Sequence, residues 1–175
     1  WNSGSYSWGE EIPDSLQKPH FDWGGDRTDI SNGINSGRFL VVHRDHGAVW
    51  GWGDPQFTWN DLNSLDNKDL LPVVLSMNCN TGLFNDTTCF SEYFLRNNNG
   101  GAVGVVAAST ESYSGQNDAL TLGIIDAIWP DPGIVPKFPH NSNPSVTPHD
   151  TILQIGLTLN QGKMRMTETW NRDGR

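Results

Sequence analysis

Leu70-Leu-Pro-Val-Val-Leu-Ser-Met-Asn-Cys79 is the stretch on which the fold turns. It opens as an almost continuous apolar run, bounded ahead by Asp66-Asn-Lys-Asp69 and behind by the turn-forming Asn78-Cys-Asn-Thr-Gly82. A short apolar run between turn signals reads as a strand buried on both faces of a parallel sheet. Pro72 stands near its start, where a strand tolerates proline. Two runs of the same kind flank it, Arg38-Phe-Leu-Val-Val-His43 and Ala102-Val-Gly-Val-Val-Ala-Ala108.

Helical patterns fill the intervals. One starts near Thr28–Asp29, whose side chains suit an N-cap, and stops before Gly37. A second spans Thr58–Leu65, with Thr58 as its cap. Cys89–Arg96 sets Phe90, Tyr93 and Phe94 at helical spacing and is closed by Asn97–Gly101. Asn117–Trp129 offers Leu120, Leu122, Ile124, Ile125 and Ile128 for burial, and Asp150–Leu159 reads as a last helix. Residues 1–27 read as irregular chain and Gly47–Asp54 as a glycine-rich loop. Residues 129–148 hold six of the ten prolines and read as a surface loop. Strands that alternate with helices imply an α/β fold whose mostly parallel sheet is covered on both faces.

At 175 residues the chain is expected to be one domain, long enough to bury a core. Its net charge of −9 argues against nucleic acid, which needs a basic face. No apolar run approaches the roughly 20 residues of a membrane span, and no basic-then-apolar leader opens the chain.

In sheets of this class ligands sit at the carboxyl ends of the strands. His46 follows the end of the first run and Cys79 follows the end of the second, so neighbouring strands would deliver both to one edge. A thiol is a weak nucleophile at its free pKa of about 8.5, and an imidazole beside it can take its proton. Peptide cleavage also needs donors for the oxyanion. The amides of Gly47 and Cys79 suit that role, and His46 would then protonate the leaving amine.

These segments carry a resemblance. His43-Arg-Asp-His-Gly-Ala-Val-Trp-Gly-Trp-Gly53 is similar to the His-Gly loop of the gingipains, and Val73-Val-Leu-Ser-Met-Asn-Cys-Asn-Thr-Gly-Leu-Phe84 to their nucleophile strand. Cys89-Phe-Ser-Glu-Tyr-Phe-Leu95, Val103-Gly-Val-Val-Ala-Ala-Ser-Thr110, Gly115-Gln-Asn-Asp118 and Gly162-Lys-Met-Arg-Met-Thr-Glu-Thr-Trp170 resemble later segments of the same domain. The likeness runs from about Ile30 to Trp170. It implies a caspase-like three-layer α/β/α sandwich and a cysteine endopeptidase that works through a thioester acyl-enzyme. His46 would be base and acid, Cys79 nucleophile and Gly47 oxyanion donor. It also implies a secreted or cell-surface location, a peptide or protein substrate, and no required cofactor. Residues expected to meet substrate are Arg44, Asp45, Met77, Asn78 and Tyr113. Asp45 stands where the gingipains have Gly; its carboxylate would raise the imidazole pKa or crowd the substrate. The Thr110–Gly115 loop is shorter than in the gingipains, and its Tyr113 would replace a pocket-wall aromatic. By the resemblance, strands are missing before Trp1 and after Trp170, so the chain is expected to be incomplete and held to the remaining fragment of its own precursor.

Rival readings stay open at this level. Cys79 and Cys89, ten positions apart, allow a disulfide. His43, His46 and Cys79 allow zinc without a clear fourth ligand. Asp22, Asp26 and Asp29 allow a structural calcium ion without EF-hand spacing. Asn85-Asp-Thr87 is a glycosylation sequon. A non-catalytic binding module presenting its eight tryptophans, or a sorting transpeptidase with the same dyad, would use the same fold.

Overall fold

The computed structural model describes Ser5 and residues 9–85, 88–130 and 149–170. The sequon residues Asp86 and Thr87 and nearly all of the proline-rich segment lie outside the described residues.

Three parallel strands form the central sheet: β1 (Leu40–His43), β5 (Val73–Ser76) and β6 (Gly104–Ala107), in the order β1-β5-β6. The apolar run at 70–79 therefore supplies the middle strand. Each strand is shorter than its apolar run. Gly37 and Gly101 take positive φ just ahead of β1 and β6, and Pro72, just ahead of β5, has no amide to donate to a ladder. Val74 stands opposite Val41 and Val105, and Ser76 opposite His43 and Ala107.

Helices cover both faces. On one lie α1 (Arg27–Asn35), α2 (Trp59–Leu62) and α3 (Phe90–Arg96). They close over a core of Ile34, Trp52, Phe57, Leu62, Leu65, Val74, Phe90, Phe94 and Ala102. On the other lie α4 (Ser114–Ile128) and α5 (Ile155–Trp170), with Leu75, Met77, Ile124 and Ile128 between them and the sheet. Successive residues of a strand face opposite ways, so β5 feeds Val74 to the first core and Leu75 to the second. The result is the expected three-layer α/β/α sandwich.

Several elements differ from expectation. The cap of α1 is Asp26, whose carboxylate accepts the Thr28 and Asp29 amides while Asp29 accepts the Asp26 amide. This reciprocal pairing satisfies amides that a helix start leaves unbonded. The stretch read as a glycine-rich loop contains two strands of a small antiparallel sheet made of β2 (Gly47–Ala48), β3 (Gly51–Trp52) and β4 (Phe57–Thr58). Gly51 has φ +151°, and a Cβ there would collide with the Phe57 carbonyl. The last helix is α5, not Asp150–Leu159. Its buried positions are Thr158, Gly162, Arg165 and Thr169, so it packs without an apolar stripe. Gly162 meets Gly123 of α4 so closely that a Cβ on either would stand within 3 Å of the other helix.

Candidate active site

The site grows from the register of β1 and β5. His43 and Ser76 are paired, and the Met77 amide donates to the His43 carbonyl at 2.9 Å. His46 and Cys79 each lie three residues beyond this paired couple. Paired strands run roughly 4.8 Å apart, so the two loops leave the sheet side by side. The third strand holds the Cys79 turn from its other flank. The Asn80 amide donates to Thr110 at 3.0 Å and the Gly82 amide to Ala108 at 2.9 Å. Asn80 adopts φ +61°, which asparagine tolerates.

Cys79 is partly exposed and is a free thiol, as is buried Cys89, so no disulfide joins them. The Cys79 Sγ lies 3.4 Å from both the carbonyl and the amide of Ser112. His46 is exposed. Its backbone is fixed by the Gly53 amide, which donates to the His46 carbonyl at 2.9 Å. Gly47 opens β2, and a Cβ there would lie 2.6 Å from Asn78 Cγ and Oδ1. Position 47 therefore has no room for a side chain.

The expected substrate residues divide. Tyr113 is exposed beside Ser112, and Asp45 is half-buried in the turn before His46. Arg44 is committed elsewhere: its Nε donates to Asp118 Oδ1 at 2.6 Å and its guanidinium to the Ser114 carbonyl at 3.0 Å. It braces the His46 loop against the start of α4. Met77 and Asn78 are buried, at 3% and 2% exposure. The Met77 side chain belongs to the aliphatic core. The Asn78 side chain faces inward, so neither side chain stands where a substrate would meet it.

Beneath the loops lies a buried polar chain that the sequence did not disclose. Trp52 Nε1 donates to Ser76 Oγ at 2.8 Å. The Ser76 hydroxyl stands 2.9 Å from Thr81 Oγ1, and Thr81 donates to Asn78 Oδ1 at 2.8 Å. Asn78 Nδ2 lies 2.8 Å from His43 Nδ1, and His43 Nε2 lies 3.4 Å from the Asp54 carbonyl. An amide nitrogen can only donate, so the Asn78 Nδ2 fixes the protonation pattern of the ring beside it. It leaves Nδ1 of His43 as acceptor and Nε2 as the protonated nitrogen. Burial holds the His43 pKa below its ordinary value, against the pull of the Asp54 carbonyl and of Asp45. Its ring stacks on Trp52 with centroids 4.4 Å apart and planes 4° apart.

The carboxylates weighed for calcium serve the backbone instead, Asp22 accepting the Gly24 amide and Asp26 and Asp29 capping α1. Among the described residues no group of three His, Cys, Asp or Glu converges as a metal site. Also among the described residues, no helix is long and apolar enough to cross a membrane.

The family model of peptidase family C25 matches residues 7–172. Lys-gingipain W83 of Porphyromonas gingivalis is 29% identical over 106 residues, which are 60% of this chain and 6% of that protein. A second Lys-gingipain of that species is 28% identical over the same length. The crystal structure of gingipain R (RgpB), an Arg-specific cysteine proteinase, superposes with a TM-score of 0.68 at 23% identity, over 87% of this chain and 33% of that one. A complex of the P. gingivalis RgpB pro- and mature domains gives 0.69 at 21% identity, over 87% and 34%. The fold is thus that of the gingipains, and the chain spans a small part of the length of the relatives it matches.

Proposed function

This chain belongs to peptidase family C25, and from that premise we propose that it carries the reacting groups of a cysteine endopeptidase, with Cys79 as nucleophile and His46 as its proton acceptor and donor. The observation that carries the reading is the β1–β5 register, from which both loops emerge three residues beyond one paired couple.

In the proposed reaction Cys79 Sγ attacks a peptide carbonyl as its proton passes to His46. The tetrahedral oxyanion is met by the amides of Gly47 and Cys79. His46 then returns the proton to the leaving amine and a thioester remains. Water, activated by His46, releases the acid and frees the thiol. The side-chain direction at Gly47 is taken by Asn78, and the Gly47 amide is the group proposed to meet the oxyanion. Tyr113 and Asp45 border the approach, and the pairing of Arg44 with Asp118 leaves Asp45 as the charge nearest His46 in the chain. We assign the substrate as a peptide or protein, and the location as secreted or cell-surface by likeness to the gingipains. A further segment of the same precursor is the proposed partner, since the RgpB structure pairs pro- and mature domains.

The test is native alkylation with limiting iodoacetamide, read by peptide mass spectrometry, alongside cleavage of a peptide library. Cys79 should label rapidly, and His46→Ala should slow both labelling and cleavage by about 10²–10⁴-fold. Labelling that is slow and indifferent to His46→Ala would sink the dyad and favour a non-catalytic binding module. Transfer of the acyl group to an added amine in preference to water would identify a transpeptidase.

A further inference from the structure

We infer that Asn78 is a positioning residue of this site, and that its hydrogen bond to His43 sets the spacing between the His46 loop and the Cys79 turn. The inference rests on the dyad reading and goes beyond it, since neither residue touches a reacting atom.

Asn78 is the residue before Cys79, and it is 2% exposed. It meets the other loop directly, because Gly47, the residue after His46, packs against its Cγ, Oδ1 and Cβ. One side chain therefore separates the backbone just after the proposed base from the backbone just before the proposed nucleophile. A spacer of this kind works only if its own rotamer is fixed. Three bonds fix it. Thr81 and Ser76 hydroxyls reach Oδ1 at 2.8 and 3.2 Å, and Nδ2 reaches His43 Nδ1 at 2.8 Å. The Thr81 and Ser76 bonds come from the turn and from β5 itself. The His43 bond alone crosses to the strand that carries His46, and so it ties the two loops together.

That bond requires the neutral imidazole with Nδ1 unprotonated, the tautomer whose Nε2 proton faces the Asp54 carbonyl. A protonated ring would present a donor to a donor and push the amide away. The same ring also fills space by stacking on Trp52, so a packing role and a hydrogen-bonding role must be separated.

Two substitutions separate them. His43→Gln keeps an acceptor and a donor but loses the ring. His43→Phe keeps the stack on Trp52 but loses both polar contacts. If the bond positions the site, His43→Gln retains His46-dependent labelling of Cys79 within about threefold, while His43→Phe loses about tenfold or more, the scale expected when reacting groups shift by a fraction of an ångström. Asn78→Ala, which removes that bond together with the Thr81 and Ser76 bonds and the contact with Gly47, should lose at least as much as His43→Phe, and the double variant should lose no more than Asn78→Ala alone. Asn78→Ala alone also decides the matter if His43→Phe does not fold. Hydrogen exchange at the Asn80 and Gly82 amides, which report the seating of the turn, should quicken in His43→Phe and Asn78→Ala and hold in His43→Gln. The opposite order, with Phe better than Gln, makes His43 a packing residue and overturns the inference. So does an Asn78→Ala protein that labels as the parent does. Should His46→Ala leave parental labelling unchanged, the dyad reading falls by itself, and the amide exchange still decides whether the bond seats the turn.

Discussion

The two faces of the sheet are packed with different chemistry. The α1–α3 face is aromatic: Trp52 stacks on His43 and contacts Phe57, Phe90 and Phe94 at centroid distances of 5.3–5.9 Å. The α4–α5 face is aliphatic, built from Leu75, Met77, Ile124 and Ile128 with Leu40, Val73, Val106, Leu120 and Leu159 at its margin. The contrast explains where the site could grow. An indole or imidazole is a large apolar body with a polar tip, so the aromatic core carries hydrogen-bonding atoms into its own interior. Those atoms feed the chain from Trp52 to Asp54 that underlies both loops. The aliphatic core has no such tips. Among the described residues, its buried charges are Asp126 and Arg165, which meet at 3.6 Å; Asp126 also lies 3.4 Å from His149, and its Oδ1 has no hydrogen-bond partner there.

The sharpest way to break this comparison is Trp52→Ala. It should cost about 3–5 kcal/mol of stability in urea denaturation, and it also strips Ser76 of its donor. Native Cys79 labelling should fall with it. A Trp52→Ala protein that labels normally would show that the aromatic core and the site are independent.

Acid gives a smaller effect through His43 on the aromatic face. Burial lowers the folded pKa of His43, so the unfolded chain takes up the proton first as pH falls. Stability from His43 is therefore complete above its unfolded pKa of about 6.5 and declines below it, by at most about 1.4 kcal/mol per pH unit. Denaturation midpoints of the parent and of His43→Gln between pH 7 and 5 should converge as the pH falls. Parallel curves would mean the ring is not held neutral.

Ile124→Val on the aliphatic face should be mildest, at about 0.5–1.5 kcal/mol, with Cys79 labelling unchanged. A labelling change as large as that of Trp52→Ala would erase the distinction between the faces.

The sheet was legible because its three strands read as bare apolar runs between turn signals, although only the middle strand, β5, is buried along most of its length, while β6 is half-buried and Val42 of β1 is exposed. So was the edge at which His46 and Cys79 emerge, since that follows from topology. What stayed hidden has physical causes. Two-residue strands such as Gly47–Ala48 and Gly51–Trp52 are too short to show a period of two. Helix α5 buries threonine, glycine and arginine, so a search for apolar periodicity placed the helix too early and stopped it at Leu159. In the sequence His43 reads only as a metal ligand, and Asn78 only as a substrate contact. Their bond joins residues 35 positions apart, and no spacing rule connects an imidazole to an amide across two strands. The signal that could have found them is local: a His ending one buried strand and an Asn just past the next, both at positions where polar side chains demand partners.

Gly47 and Asn78 share one volume, and that makes them a single unit of inheritance. A lineage that enlarges position 47 must shrink position 78 in the same step or lose the seating of the turn. The glycine after the histidine is thus held in place by its neighbour across the sheet as well as by the carbonyl it would receive. Grafting the His46 loop of a relative onto this scaffold will succeed only when the residue ahead of the cysteine travels with it.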